Sequence, residues 1–250
     1  MKNLHTEKYT TNDVEVDVNE RLSVMETLKL MQRVTFAHSS LIGLDHKTMI
    51  ERDNAFWVIT KMKYVCRHPI CANQKITLKT WTREPQSVRF IRDLQIKNKN
   101  KLMINGLSEW CCLDYETRAL RRSNSIKYPN LEMIETKNNN ITFTNLKADV
   151  DKKDFVYSRS IMSTDIDVNL HTNNLKYTNI ALDALTLEEL QTKPIKEYEI
   201  YFVNETKIGD KIDVYKKKVK GYYYIEGKRG EQTIFRVVIK FAKKKQTLKV

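Results

Sequence analysis

One phrase occurs twice in this chain, and the repetition bounds what it can fold into. Glu15-Val16-Asp17-Val18-Asn19 precedes a helical pattern, and 150 residues later Asp165-Ile166-Asp167-Val168-Asn169 precedes another. Self-similarity at a fixed offset marks a structural unit stated twice. In the first copy Ser23-Val24-Met25-Glu26 reads as a capping box, and Val24, Leu28, Met31 and Val34 then recur at helical spacing to about Ser39. In the second, Asn173 or Asn174 caps a helix with Tyr177, Ile180, Ala181 and Ala184 on one face.

After each helix the period changes to two. Lys75 to Lys79, Arg89 to Ile96 and Leu102 to Leu113 predict strands in the first half, the last two flanking a turn at Lys97 to Lys101. Lys211 to Val214, Tyr222 to Ile225 and Thr233 to Ala242 do so in the second, with Glu226-Gly227-Lys228-Arg229-Gly230 as a hairpin loop. Phe235, Val237, Ile239 and Phe241 share one face of the last strand, while Arg236 and Lys240 fall on the other. The expectation is an α+β fold: two helix-plus-antiparallel-sheet repeats, residues 1–130 and 151–250, pairing as a pseudo-dimer through one continuous sheet. Residues 131–150, with the Asn-rich Lys137 to Asn140, are the expected linker.

Composition removes several classes. The longest apolar run, Ala55 to Ile59, is far short of the roughly 18 residues that cross a bilayer, and no export signal opens the chain. A cytoplasmic protein without a membrane span is expected. Cys66, Cys71, Cys111 and Cys112 show no CxxC or Cys/His spacing suited to zinc, so neither a disulfide framework nor a metal site is expected. The net charge of +13 is uneven: residues 1–130 carry +8, 131–205 carry −5 and 206–250 carry +10, with clusters at Lys216-Lys217-Lys218 and Lys243-Lys244-Lys245. Such a surface suits an anionic partner: nucleic acid, lipid or an acidic protein.

Where the copies diverge, chemistry enters. Asp17-Val18-Asn19-Glu20-Arg21 becomes Asp167-Val168-Asn169-Leu170-His171, which places a histidine at the entrance of the second helix. Histidine exchanges protons near neutral pH. If the stretch is extended, Asp167, Asn169 and His171 aim the same way, and the helix start behind them supplies N–H groups for an oxyanion. His5, His38, His46 and His68 read as structural or solvated.

With Tyr177 after it, Asp165 to Asn174 resembles the most specific motif of the acyl-acyl carrier protein thioesterases. Trp57-Val58-Ile59, Arg67-His68-Pro69, Thr80-Trp81, Arg92-Asp93, Ser108-Glu109-Trp110, Asp114 and Thr117-Arg118 are similar to that family in order and spacing, so the resemblance runs from about Tyr9 to Ala242. It implies a tandem (double) hotdog fold and hydrolysis of a fatty acyl thioester on an acidic acyl carrier protein, with no cofactor. It also implies catalytic roles for Asp167, Asn169, His171 and Glu205. Glu205 with His171 is expected to activate water, Asn169 and backbone N–H groups to hold the oxyanion, and Asp167 to orient His171 or Asn169; Glu205 as a nucleophile is the other form of the mechanism. Plant members carry a cysteine directly after that glutamate, where this chain has Thr206, and no cysteine follows Cys112. The absence of a long leader suggests a bacterial-type member. The first half is expected to complete the sheet and line the acyl pocket, with Met25, Leu28, Met31 and Trp57 as candidate walls. A hotdog acyl-CoA thioesterase is the alternative, and a basic nucleic-acid-binding module ranks below both; the oligomer is a monomeric pseudo-dimer or a homodimer.

Overall fold

The structure, a computed structural model, describes residues 2–134 and 141–242. Lys137 to Asn140 and Lys243 to Lys245 lie outside the described residues. The first half contains strand β1 (His5–Thr10), helices α1 (Val24–Leu41) and α2 (His46–Asp53), and strands β2 (Ala55–Cys66), β3 (Lys75–Thr82), β4 (Phe90–Asn98), β5 (Lys101–Asp114) and β6 (Leu120–Arg121). The second contains β7 (Phe155–Ser160), α3 (Asn174–Leu182), α4 (Leu187–Thr192), β8 (Ile195–Phe202), β9 (Lys211–Val219), β10 (Tyr222–Arg229) and β11 (Gln232–Phe241). One antiparallel sheet runs β1-β3-β4-β5-β2-β8-β11-β10-β9-β7, with β6 paired to β5. That order is the same element for element from either end, as a pseudo-twofold axis between β2 and β8 requires.

Helices α1 and α3 bury the faces that their spacing predicts, although α3 ends at Leu182 and Ala184 is buried just beyond it. Leu28, Met31 and Val34 are at most 2% exposed, as are Tyr177, Ile180 and Ala181, and all of them join one core across both repeats. Gly106 on β5 permits the approach of α1, because a Cβ there would stand 2.6 Å from Met31 Cε. The capping box of α1 forms only by half. Ser23 Oγ accepts the Glu26 N–H at 3.2 Å, but the Ser23 N–H donates to Glu15 O at 3.0 Å, closing the repeated turn. The Glu26 carboxylate pairs with Lys29 instead.

Across the seam Tyr64 stands opposite Tyr198, their rings 6.0 Å apart and stacked, on the face that carries the helices. On the reverse face Lys63 lies opposite Glu199, a pair at 2.9 Å with both side chains buried. Residues 141–150 pass over this pair and supply what a buried pair needs, hydrogen bonds for the remaining donors and acceptors. Lys63 Nζ donates to Thr142 O at 2.8 Å, while Thr144 and Tyr201 donate to the Glu199 carboxylate. Leu146, Ala148 and Val150 pack on Tyr201, Tyr224 and Val238, so this part of the expected linker covers the sheet.

The hairpins are tighter than their polar residues suggest. β4 and β5 meet at a two-residue turn, Lys99-Asn100, and β10 and β11 at Gly230-Glu231. Glu226 to Arg229 are strand and not loop. Gly227 lies there because the Phe235 ring of β11 crosses it, where a Cβ would meet Phe235 Cε1 at 2.2 Å.

Candidate active site

The stretch Asp165 to Thr172 is a closed turn rather than an extended run. Ile166 and Thr172 form an antiparallel bridge, Asp167 N–H donates to His171 O at 2.8 Å, and Leu170 N–H donates to Asp167 O at 3.0 Å. Leu170 takes φ +61°, which turns the chain back on itself. The alternation that would aim Asp167, Asn169 and His171 together is therefore absent. Asp167 Oδ1 accepts the Asn169 N–H at 2.9 Å, holding the turn from inside, as Asp17 Oδ1 accepts the Asn19 N–H at 2.8 Å in the first copy. An aspartate doing the same work where no histidine follows is a turn-former first.

The turn brings His171 to Glu205, with Nε2 and Oε2 3.3 Å apart. His171 is largely covered and Glu205 is more than half exposed. The clasp that sets this distance lies behind them and was not foreseen from sequence. Thr172 N–H donates to Thr206 O at 2.9 Å, and the two hydroxyls meet at 2.7 Å. Tyr177 of α3 accepts the Thr206 N–H at 3.1 Å and bonds its hydroxyl at 2.8 Å. Thr206 is 0% exposed, Tyr177 2% and Thr172 4%. Burial raises the Tyr177 phenol above its usual pKa, so it stays protonated and able to donate. The position after the glutamate thus faces inward as a structural hydroxyl. The cysteines lie elsewhere, and burial pushes the Cys66 and Cys112 thiols up to about 11.

At the start of α3, Asn173 spends two of the N–H groups expected for an oxyanion. Its Oδ1 takes Leu175 N–H at 3.0 Å and its carbonyl takes Lys176 N–H at 2.8 Å. The helix-start contribution narrows to the Asn174 N–H, and Asn174 lines the same cavity as the exposed Asn169.

These groups open on a cavity of about 1360 Å³ lined by both repeats, including Phe36, Trp57, Phe90, Trp110 and Tyr128 from the first. Of the four wall residues expected, Trp57 lines it; Leu28 and Met31 are core, and Met25 faces a different cavity. Arg92 lines it too, 5% exposed, with Nη1 2.6 Å from His38 Nδ1. Burial, then the charge of Arg92, lowers His38 to about 3, so its neutral ring accepts from the guanidinium. Burial lowers Arg92 to about 10, which leaves it charged at neutral pH. Its signal in the sequence was an arginine in the period-two row Phe90, Arg92, Leu94, Ile96, every member of which is buried.

Comparison with known proteins adds the following. Residues 2–125 match the family model described as Acyl-ACP thioesterase N-terminal domain, and residues 136–247 match Acyl-ACP thioesterase C-terminal domain. An oleoyl-acyl carrier protein thioesterase of Coriandrum sativum, chloroplastic, is 22% identical over 230 residues, 84% of this chain and 61% of the relative. The chain thus spans about three fifths of that relative's length. Among solved structures, an acyl-ACP thioesterase from Bacteroides thetaiotaomicron matches with TM-score 0.87 and 22% identity over 96% of this chain and 98% of that one. The 12:0-ACP thioesterase from Umbellularia californica matches with TM-score 0.82 and 13% identity over 97% and 98%. The architecture is the double hotdog.

Proposed function

Because this chain belongs to the acyl-ACP thioesterase family, we propose that it hydrolyses the thioester between a fatty acyl chain and the phosphopantetheine arm of an acyl carrier protein. The products are a free fatty acid and the carrier protein. The observation that carries the reading is the His171–Glu205 pair, 3.3 Å apart at the wall of a cavity large enough for an alkyl chain.

In the proposed mechanism His171 and Glu205 together take a proton from water as its oxygen attacks the thioester carbonyl. The carbonyl oxygen becomes the oxyanion, held by the Asn169 carboxamide and the Asn174 N–H. The tetrahedral centre collapses, the C–S bond breaks, and the proton held by the pair passes to the departing thiolate. Asp167 acts through the turn, fixing Asn169 by its backbone. The first repeat supplies most of the acyl cavity, and the division of labour between residues 1–130 and 151–250 follows from this. We place the reaction in the cytoplasm, where the free thiols stay reduced.

An acidic carrier protein fits the net charge of +13. Not every lysine is free to serve it. Lys216 pairs with Glu189 at 2.8 Å and Lys217 with Asp154 at 3.4 Å, while Lys218 sits 4.9 Å from the centre of the Tyr223 ring.

The test is free-thiol release from matched acyl-acyl carrier protein and acyl-CoA panels. Wild type should favour the carrier-protein panel, and His171→Ala and Glu205→Gln should each lower kcat by about 100-fold or more. Near wild-type turnover in Glu205→Gln overturns the mechanism, and equal use of acyl-CoA overturns the assignment of the carrier.

A further inference from the structure

A pseudo-twofold that makes one cavity makes a second, and here the second is present with different chemistry. It measures about 760 Å³ and lies between the turn of the first copy and the helical side of the second repeat. Backbone hydrogen bonds fix the correspondence. Leu22 N–H donates to Ile70 O at 2.6 Å where Thr172 N–H donates to Thr206 O. Arg67 and His68 both donate to Met103 O, at 2.8 and 3.2 Å, as Val203 and Asn204 both donate to Ile234 O, at 2.9 and 3.1 Å. Arg21 therefore stands where His171 stands, and Pro69 where Glu205 stands.

Among the described residues the second cavity has no counterpart of the His171–Glu205 pair, and the cations Arg21 and Arg67 line it instead. Among the described residues neither guanidinium has a carboxylate within 4 Å, and of Arg21 the Asp17 carboxylate meets only the backbone N–H. The two carboxylates in its wall, Asp17 and Glu197, already have partners. Glu197 is held by Lys240 at 3.2 Å and Lys63 at 3.9 Å, and Asp17 Oδ1 accepts the N–H groups of Asn19 and Arg21. His68, also in the wall, is lowered below its usual pKa by burial and then by Lys101 and Arg67, in keeping with a positive local field. The remaining wall is largely apolar and includes Leu22, Met25, Leu182, Leu190 and Ile195.

We propose that this second cavity is a non-catalytic site for a long-chain carboxylic acid, with the carboxylate on Arg21 and Arg67 and the alkyl chain on the apolar wall. Guanidinium groups without an internal counter-ion, beside hydrocarbon, match an amphiphile with one anionic head. The identity of that acid as the enzyme's own product rests on the function proposed above; the binding does not.

The experiment is calorimetric titration of the full chain with dodecanoate below its micelle-forming concentration, with dodecanol as the neutral probe. One class of sites should be weakened about tenfold or more by Arg67→Ala and by Arg21→Ala, the scale of a lost charge-assisted hydrogen bond. Leu182→Trp should block the same class without touching a charge, and His171→Ala should leave it intact. Arg67 is exposed, so Arg67→Ala decides the matter if Arg21→Ala melts early. Dodecanoate binding that is unchanged in Arg67→Ala and Leu182→Trp overturns the site, as does dodecanol binding as tightly as dodecanoate. Loss of that class in Arg67→Ala from a chain that releases no thiol sinks the hydrolytic function and upholds the site. Thiol release together with binding indifferent to Arg67→Ala does the reverse.

Discussion

Replacing Tyr177 by Phe deletes one oxygen from the clasp behind the His171–Glu205 pair and nothing from the cavity. That oxygen accepts the Thr206 N–H at 3.1 Å and bonds the Thr206 hydroxyl at 2.8 Å, and Thr206 has no exposed surface on which water could replace it. A buried donor left unpaired costs about 1–3 kcal/mol. For a chain of this size each kcal/mol moves Tm by roughly 2–4 °C, so the midpoint should fall by about 2–12 °C. The kinetic effect follows from Glu205 being the neighbour of Thr206. A loop released by on the order of 1 Å misplaces its carboxylate against His171, and such misplacements cost up to about 100-fold in rate. Thermal melting by circular dichroism and thiol-release kinetics should show kcat lowered with KM little changed. Thr206→Val should behave like Tyr177→Phe, and Thr206→Ser should keep most of kcat. Wild-type kcat and Tm in Tyr177→Phe would refute the reasoning, because the distance between His171 and Glu205 would then be set elsewhere.

Three further outcomes follow from the same structure. His38 titrates near 3 when folded and near 6.5 when unfolded, so the unfolded chain binds the extra proton and stability falls as pH drops from about 6.5 towards 3. His38→Gln should flatten that part of the urea midpoint-against-pH curve, and an unchanged slope would locate the titration in another group. Charge-steered docking of an acidic carrier predicts that kcat/KM falls with added salt while kcat does not, measured between low and physiological ionic strength; a flat profile removes the electrostatic argument. Gly227→Ala drives a Cβ to 2.2 Å from the Phe235 ring and should destabilise the fold by about 1–3 kcal/mol in denaturant titration.

The repeat made the fold legible, because period and spacing repeated in order are enough to imply a symmetric sheet. The site was legible only where its residue types announce themselves. His171 stood out against Arg21 at the matching place, and Glu205 came from the family resemblance, since no spacing rule links residues 34 positions apart that meet through two loops. The shared direction of Asp167, Asn169 and His171 was misread because the alternation argument assumed extended backbone, and a leucine gives no warning that it will take φ +61°. Arg92 was legible in principle as a charge in an apolar row. The Lys63–Glu199 pair was not, because what makes it tolerable is residues 141–150 crossing the sheet.

The clasp separates the turn proposed as catalytic from its counterpart in the first copy. Both copies make the same backbone hydrogen bond between turn and loop, Thr172 to Thr206 and Leu22 to Ile70. In the first copy the side chains at that bond are aliphatic, and Thr27 occupies the place of Tyr177, so turn and loop are held by packing. Packing fixes volume but not the direction of a neighbouring carboxylate. In the second copy three hydroxyls replace it, and hydrogen bonds fix direction as well as distance. The arrangement carries a stability cost whenever one member is lost, because each is buried. What it supplies is a glutamate brought to 3.3 Å from a histidine without any substrate, the arrangement that the proposed acid–base chemistry needs and that the first copy lacks.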